Sequence, residues 1–511
     1  MFNKKILSLI AIIVIIAICL ALASSCASEK EKNDNADINA AGDSVGDNSQ
    51  DPNFENPSNF SDFSNDESLY DPNLPEADFE EYIYKILNVD EEFMSWAINH
   101  IDVEESIGDV VDDAIYTRNR NTEAKYNFII KQIRMSAEDI DKAIKNTAQA
   151  GTYDYDLVIP YTLNVPSHAT SGYLADLGSL PYINLDKPWW NHAAGSDFSI
   201  GSKTFFSTSD FILIDKENTV ILGYNNKVAQ DIGAPSVAEL YNTVFEGKWT
   251  FDMFADLCRS AYVNLDGTGV INYSTDRIGI VGYTWWFSNV FMVGFDETVI
   301  KKDENDLPYV ACKTDRFTEA YSKLVSLTAD KKAVGRAGLD FDGSIEPIFE
   351  RNGSLFATMA LNGFRIMRNM NSDFTLLPMP KLNEEQEKYY APVLEAVSVA
   401  IPNSCEDTDR SAFIIEALTA ESMKILNPAY YEVALQDKYM RDSESVKMLE
   451  LVLNNRMTDI CYSIYNWAGF TDQYREAFKK DNPNFTSLID KHEKRLTTAM
   501  EKTVNAYAAL D

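Results

Sequence analysis

The stretch Tyr155-Asp156-Leu157-Val158-Ile159-Pro160-Tyr161 decides the fold class. It is a short apolar run between turn signals, the pattern of a strand buried on both faces. Upstream of it, Ser136-Ala137-Glu138-Asp139 resembles a capping box, and Ile140, Ala143, Ile144 and Ala148 follow at helical spacing. A helix therefore leads into a buried strand, and the alternation continues along the chain. Thr250 has the place of a helix cap, with Phe251, Phe254, Ala255, Cys258 and Ala261 on one face behind it. Asp303 to Asp306 is a polar turn between Val299-Ile300 and Tyr309-Val310, which predicts a hairpin. Thr314 starts a helix carrying Phe317, Ala320, Tyr321 and Leu324. Leu355 to Leu361 and Phe374 to Leu377 read as strands on either side of a segment containing Gly363. From Asp409 onward the pattern is mostly helical, with breaks expected at Pro428, Gly469 and Pro483. Strands alternating with helices predict α/β domains with largely parallel sheets and a helical C-terminal portion. No internal repeat of fixed period is present.

The chain has 511 residues, 45% hydrophobic and 12% aromatic, a globular composition long enough for two or three domains. Its 45 Lys plus Arg against 79 Asp plus Glu leave a net charge of −34. That balance excludes a nucleic-acid binder, which needs clustered basic side chains, and disfavours adsorption of the folded part onto anionic lipid. Lys4 and Lys5 precede an apolar stretch from Ile6 to Ala23, and then come Ala23-Ser24-Ser25-Cys26. A positive start, an apolar run and small residues make residues 1–26 an export signal. Residues 27–78 hold fourteen acidic residues and two lysines, with sparse apolar residues of no period. They read as a disordered tether, which as a flexible chain would span roughly 40 Å. The remaining 433-residue body, 79–511, carries −24.

Small residues ending on Cys26 resemble a bacterial lipoprotein signal, although Ala23 stands where Leu is usual. The resemblance implies that Cys26 is lipidated and becomes the first mature residue. The alternative is an uncleaved N-terminal anchor, because the apolar run approaches the ~20 residues of a membrane span. Either way the body lies outside the cytoplasm, held to a membrane. The segment from Gly108 through Asp112, Asp113 and Tyr116 to Asn119 resembles the opening of large bacterial extracellular solute-binding proteins. So do, in order, Tyr155-Asp156-Leu157-Val158, Tyr173-Leu174-Ala175-Asp176-Leu177 and Leu180-Pro181-Tyr182-Ile183. Asp186-Lys187-Pro188-Trp189-Trp190-Asn191, Glu246-Gly247-Lys248-Trp249-Thr250, Leu377-Pro378-Met379-Pro380-Lys381 and Asn427-Pro428-Ala429-Tyr430-Tyr431 continue the likeness, which runs from about 108 to about 465. Order and spacing are similar to the family-1 solute-binding lipoproteins that serve ABC importers. That resemblance implies an α/β, two-lobed, periplasmic-binding-protein-like fold with a hinge and a cleft. By analogy, lobe 1 holds 79–210 with 373–425, and lobe 2 holds 211–372 with 426–511.

A sugar offers apolar ring faces and polar edges, so its site needs aromatic planes beside carboxylates and amides. Of the seven tryptophans, Trp285 and Trp286 form a pair in which one is expected in the core and the other on the ligand. Trp189 and Trp190 read either as a cleft wall or as a loop packed on a sheet, and Trp467 as an aromatic offered to the cleft from the late helical region. Trp249, beside a helix cap, reads as core. Asp210 falls where the chain crosses between lobes, so it either accepts sugar hydroxyls or makes a hinge hydrogen bond. Arg365 and Asn362, beside Gly363, are further candidates. Asn264-Leu265-Asp266-Gly267-Thr268-Gly269 resembles a calcium loop, but its charge count is too low and a turn is expected. Cys258, Cys312, Cys405 and Cys461 are either two disulfides or buried thiols.

The four histidines form no metal motif, and the sequence contains neither a Gly-x-Ser-x-Gly elbow nor a phosphate-binding Gly-x-x-x-x-Gly-Lys-Ser/Thr. No catalytic residue, cofactor or metal is expected. The leading expectation is a monomeric, lipid-anchored extracellular protein that captures a small solute, an oligosaccharide above all, and delivers it to ABC permease subunits. The alternatives are a secreted glycan-acting enzyme and the ligand-binding domain of a membrane sensor.

Overall fold

A computed structural model describes residues 67–510 apart from 91, 93, 107, 191–197, 395 and 437–442. The export signal, Cys26 and residues 27–66 of the expected tether lie outside the described residues. The last part of that tether has a fixed place, contrary to expectation. Glu67–Tyr70 is a short 3-10 helix, the Asp71 carbonyl accepts from Lys187 Nζ at 3.3 Å, and Asp78 accepts from Asn127 Nδ2 at 2.7 Å. Leu74 and Ala77 pack against the core, which is why this stretch is ordered.

Two sheets organise the body. Strands β1 (Tyr82–Val89), β2 (Phe128–Met135) and β3 (Leu157–Ile159) form an all-parallel sheet in the order β2-β1-β3. The crossover before β3 is the helix Ala137–Ala150, started as the sequence predicts by Ser136, whose Oγ accepts from the Asp139 amide at 3.2 Å. It ends on Gly151 at φ 66°, a left-handed turn that glycine adopts without strain. Ile140 and Ile144 face the sheet, fully buried.

The second sheet is mixed. It contains β4 (Val220–Asn225), β5 (Ile278–Tyr283), β8 (Val334–Ala337), β9 (Ser354–Ala360) and β10 (Phe374–Leu377), in the order β10-β4-β9-β5-β8. Strands β5, β8 and β9 are parallel, while β4 runs antiparallel to both its neighbours. The expected hairpin is β6 (Ile300–Lys302) against β7 (Pro308–Val310). Because β10 pairs with β4, the chain returns toward the first sheet after Leu377 and not at 373. It does so through β11 (Ala391–Val393) and the bridges Tyr161↔Val397, Ser207↔Val399 and Val158↔Ala400.

β11 pairs in parallel with β12 (Arg456–Thr458), a third segment at the same junction. The C-terminal portion is helical, with Thr408–Gln436, Ser443–Asn454, Phe470–Lys479 and Phe485–Ala508. Pro428 does not break the first of these; the helix runs through it. The described residues all belong to one compact unit. Among the described residues no helix is long and apolar enough to cross a membrane. All four body cysteines are buried free thiols.

Candidate functional site

Parallel strands all deliver their following loops to one end of a sheet, and open α/β sheets bind ligands there. Here the carboxyl ends of two sheets face one cavity of about 480 Å3. The first sheet contributes Met94 and Trp96, which follow β1, and Tyr161, which follows β3. The second contributes Tyr283, Trp285 and Trp286 after β5, Ile345 and Glu346 before β9, and Thr358 to Ala360 with Asn362 and Gly363 at the end of β9. Asn218, Leu394 and Ala396 line it from the segments that cross between the sheets.

Aromatic planes and a few polar atoms shape this cavity. Trp285 is half exposed and Trp286 nearly buried, their rings 5.2 Å apart and 17° from parallel. One tryptophan of the pair is thus in the core and the other open. The reason is the turn after β5, where Trp286 immediately precedes the helix Phe287–Gly294, and not strand alternation. Arg475 fixes the pair from outside, donating to the Trp285 carbonyl at 2.9 Å and to the Tyr462 hydroxyl at 2.8 Å. Tyr283 donates to both carboxylate oxygens of Glu346, at 3.1 and 2.9 Å. Burial, and then the Glu346 charge, push the Tyr283 phenol well above its usual range. Trp286 Nε1 and Thr358 Oγ1 are buried and make no hydrogen bond. A buried polar atom without a partner is costly, so these two are ready to meet a polar ligand.

Arg365 does not line the cavity. Its guanidinium donates to Glu217 Oε1 at 3.2 Å and to the Trp96 carbonyl at 2.9 Å. Glu217, fully buried, accepts in turn from the Ile98 amide at 2.6 Å, and Asn362 reaches the Trp96 carbonyl at 3.4 Å. Together these bonds strap the Trp96 segment, which follows a strand of the first sheet, onto residues that follow a strand of the second. Arg365→Ala should therefore raise the dissociation constant for any cleft ligand several-fold without touching the ligand itself. An unchanged affinity in titration calorimetry would remove the strap from the account.

The structure places the other candidates elsewhere. Trp189 and Trp190 are fully buried, and both indoles donate to one carboxylate, Glu416, at 2.9 and 2.7 Å. They are an interior anchor, not a cleft wall. Trp467 lies parallel on Tyr465 at 4.5 Å and donates to Thr503 Oγ1 of the last helix at 2.9 Å, so it is also interior. Asp210 takes Lys216 on one oxygen and Asn427 Nδ2 at 2.6 Å on the other, so its carboxylate is bonded inside the fold and does not line the cavity. Trp249 is core, as expected. Asp266 closes its own turn onto Thr268. Among the described residues no group of three or more His, Cys, Asp or Glu is placed to hold a metal. Trp96, Tyr161, Tyr283, Glu346 and Thr358 were not among the candidates from the sequence. Tyr283 stood two residues from the tryptophan pair and was the one with a signal.

Burial pushes the Glu416 carboxyl up to about 7 from its ordinary 4.5, against the pull of the two indole donors. Between those values the folded protein holds a proton that the unfolded chain has lost. Stability therefore falls as pH rises through this window and levels off above it. Glu416→Gln should flatten the fall between about pH 4.5 and 7. A melting-temperature profile with an unaltered slope in the variant would contradict this.

No family model and no curated protein sequence matches the chain. Solved structures do match. A cyclic α-maltosyl-1,6-maltose binding protein from Arthrobacter globiformis is similar at TM-score 0.54 and 15% identity, covering 83% of this chain and 99% of that one. A cyclo/maltodextrin-binding protein complexed with maltotetraose gives TM-score 0.53 at 10% identity over 83% and 96%. An ABC substrate-binding protein from Listeria monocytogenes in complex with cycloalternan gives 0.50 at 13% over 84% and 100%. The fold is the two-lobed, periplasmic-binding-protein-like one, with hinge and cleft.

Proposed function

We propose that this chain is an extracellular solute-binding protein that captures an oligosaccharide between its lobes and hands it to an ABC importer. The cavity carries the proposal: Trp96 and Trp285 offer flat apolar faces, while Trp286 Nε1 and Thr358 Oγ1 wait for polar partners. That combination suits a sugar, whose rings stack and whose edges hydrogen-bond. The oligosaccharide ligands of the similar solved structures support the same reading. Residues 1–26 and Cys26 would hold the protein at the outer face of the cell membrane through a lipid, with residues 27–66 as a leash and lobes 1 and 2 as the capturing body. A ligand that touches both sheets favours the closed arrangement by its differential affinity, and the permease reads that closure.

Thermal melting against a panel of oligosaccharides, peptides and amino acids tests the proposal. A true ligand at about 100 times its dissociation constant stabilises by roughly 2.7 kcal/mol. A shift with some peptide and with no sugar would defeat the carbohydrate assignment, and turnover of a bound glycan would favour an enzyme. With the sugar found, Trp286→Ala should weaken binding roughly 10- to 100-fold, about 1.4–2.8 kcal/mol. Full affinity in a folded variant would remove Trp286 from the site.

A further inference from the structure

The charge of the cavity is one-sided. Among the described residues its lining contains one carboxylate, Glu346, and no Lys, Arg or His. Arg365, adjacent to the lining residue Ile366, is turned to Glu217 and to the Trp96 carbonyl. Most of the remaining lining is apolar: Met94, Met359, Met367, Ile345, Ile366 and Leu394. When the lobes close on a ligand, water leaves, and a carboxylate held among such side chains needs a charge partner. Tyr283 supplies hydrogen bonds to both of its oxygens but no charge. An ionised carboxylate has about four acceptor sites, so it retains capacity for a ligand. A sugar hydroxyl would use that capacity and leave the charge uncompensated.

Resting on the solute-binding reading above, we propose that the solute is an oligosaccharide bearing a protonated amine, an amino-sugar glycan, whose ammonium sits on Glu346. The aromatic groups around the carboxylate suit such a ligand. Tyr283, bonded to Glu346, has its ring 5.9 Å from that of Trp286, and Trp285 stacks on Trp286 in turn. Ring faces of this kind attract a cation within about 6 Å. The donor Trp286 Nε1 cannot serve an ammonium, so it takes a hydroxyl or ring oxygen of the same sugar. The ligand therefore carries both a cation and neutral oxygen acceptors. The surplus of acidic residues over the whole chain draws the same class of ligand toward the protein.

Titration calorimetry of the full chain at about pH 5.5, well below the α-amino range of about 7.7–8.0 so that the sugar amines are protonated, tests this with three trimers. They are a glucosamine trimer, its fully N-acetylated counterpart and a neutral maltotriose. The glucosamine trimer should bind at least about tenfold more tightly than either neutral trimer, a preference of about 1.4 kcal/mol. Raising the pH to about 9 should erase the preference as the amine loses its proton. Glu346→Gln keeps an acceptor for Tyr283 and should bring the ratio between aminated and acetylated trimers to about one. Equal binding of aminated and neutral trimers to the unsubstituted protein overturns the amine and leaves the sugar reading standing. A preference that survives Glu346→Gln overturns the assignment to Glu346. Binding of none of the three, with no shift by any glycan in the melting panel, brings down both readings.

Discussion

Trp190→Ala should lower stability by about 3–5 kcal/mol and leave cleft affinity in the folded protein unchanged. The ring is fully buried, and its indole bonds one oxygen of Glu416 while Trp189 bonds the other. Truncation loses the packing of the largest side chain and also removes one donor from a buried carboxylate. The effect reaches the lobe junction, because the Trp189 carbonyl accepts from the Asp210 amide at 2.8 Å and Trp190 bridges to Ser209. Urea unfolding followed by tryptophan fluorescence measures the loss. Trp190→Phe keeps most of the apolar volume and should recover part of it. A Trp190→Ala protein that is as stable as the parent but binds sugar poorly would restore the cleft-wall reading.

Elements with local signals were legible in the sequence. Ser136 capping a helix, the Tyr155–Tyr161 run, the 299–310 hairpin and the helix after Thr314 all depend on residues within a few positions of one another. What failed depended on distant partners. The antiparallel β4 is set by β9 and β10, more than a hundred residues downstream, and no periodicity within Val220–Asn225 carries that direction. Pro428 tends to break a helix only when its lost hydrogen bond is not offset. Here the helix Thr408–Gln436 packs along Val110–Tyr126, and tertiary contact outweighs the local preference.

The site was legible only in part, for a related reason. Trp285 and Trp286 were identified because an adjacent aromatic pair cannot both be buried on one face, which is a local argument. Trp189 and Trp190 look the same locally. What separates the two pairs is Glu416, more than two hundred residues away, which turns one pair inward. Glu346 and Thr358 had no signal, since an acidic chain contains many carboxylates and hydroxyls, and only the meeting of two sheet ends selects these.

Arg456→Met should destabilise the protein by about 3–5 kcal/mol, because it strips the guanidinium from a buried carboxylate. Arg456, on β12, donates to Asp215 Oδ2 at 2.8 Å, and Asp215 is 3% exposed. Burial opposes the Arg456 charge, but Asp215 and the Tyr431 phenol overcome it and hold the guanidinium above its usual range. The pair joins two of the three segments that cross between the sheets, since Asp215 precedes β4 and Arg456 lies beside β11. The segment carrying β11 is joined to the one before β4 by Asn218 Nδ2, which donates to the Leu394 carbonyl at 2.8 Å. Removing both charges is expected to cost much less than removing one, because a buried pair is offset by its own desolvation. The double variant Asp215→Asn with Arg456→Met should thus recover most of the stability lost by Arg456→Met alone, as read from urea midpoints. Ligand affinity separates the two roles of the junction. If the charge pair also sets the balance between open and closed lobes, the double variant will be nearly as stable as the parent but will bind with a changed dissociation constant. If it serves stability alone, affinity will return with stability. A double variant as unstable as the sum of its two single variants would show that the pair does not act as a unit.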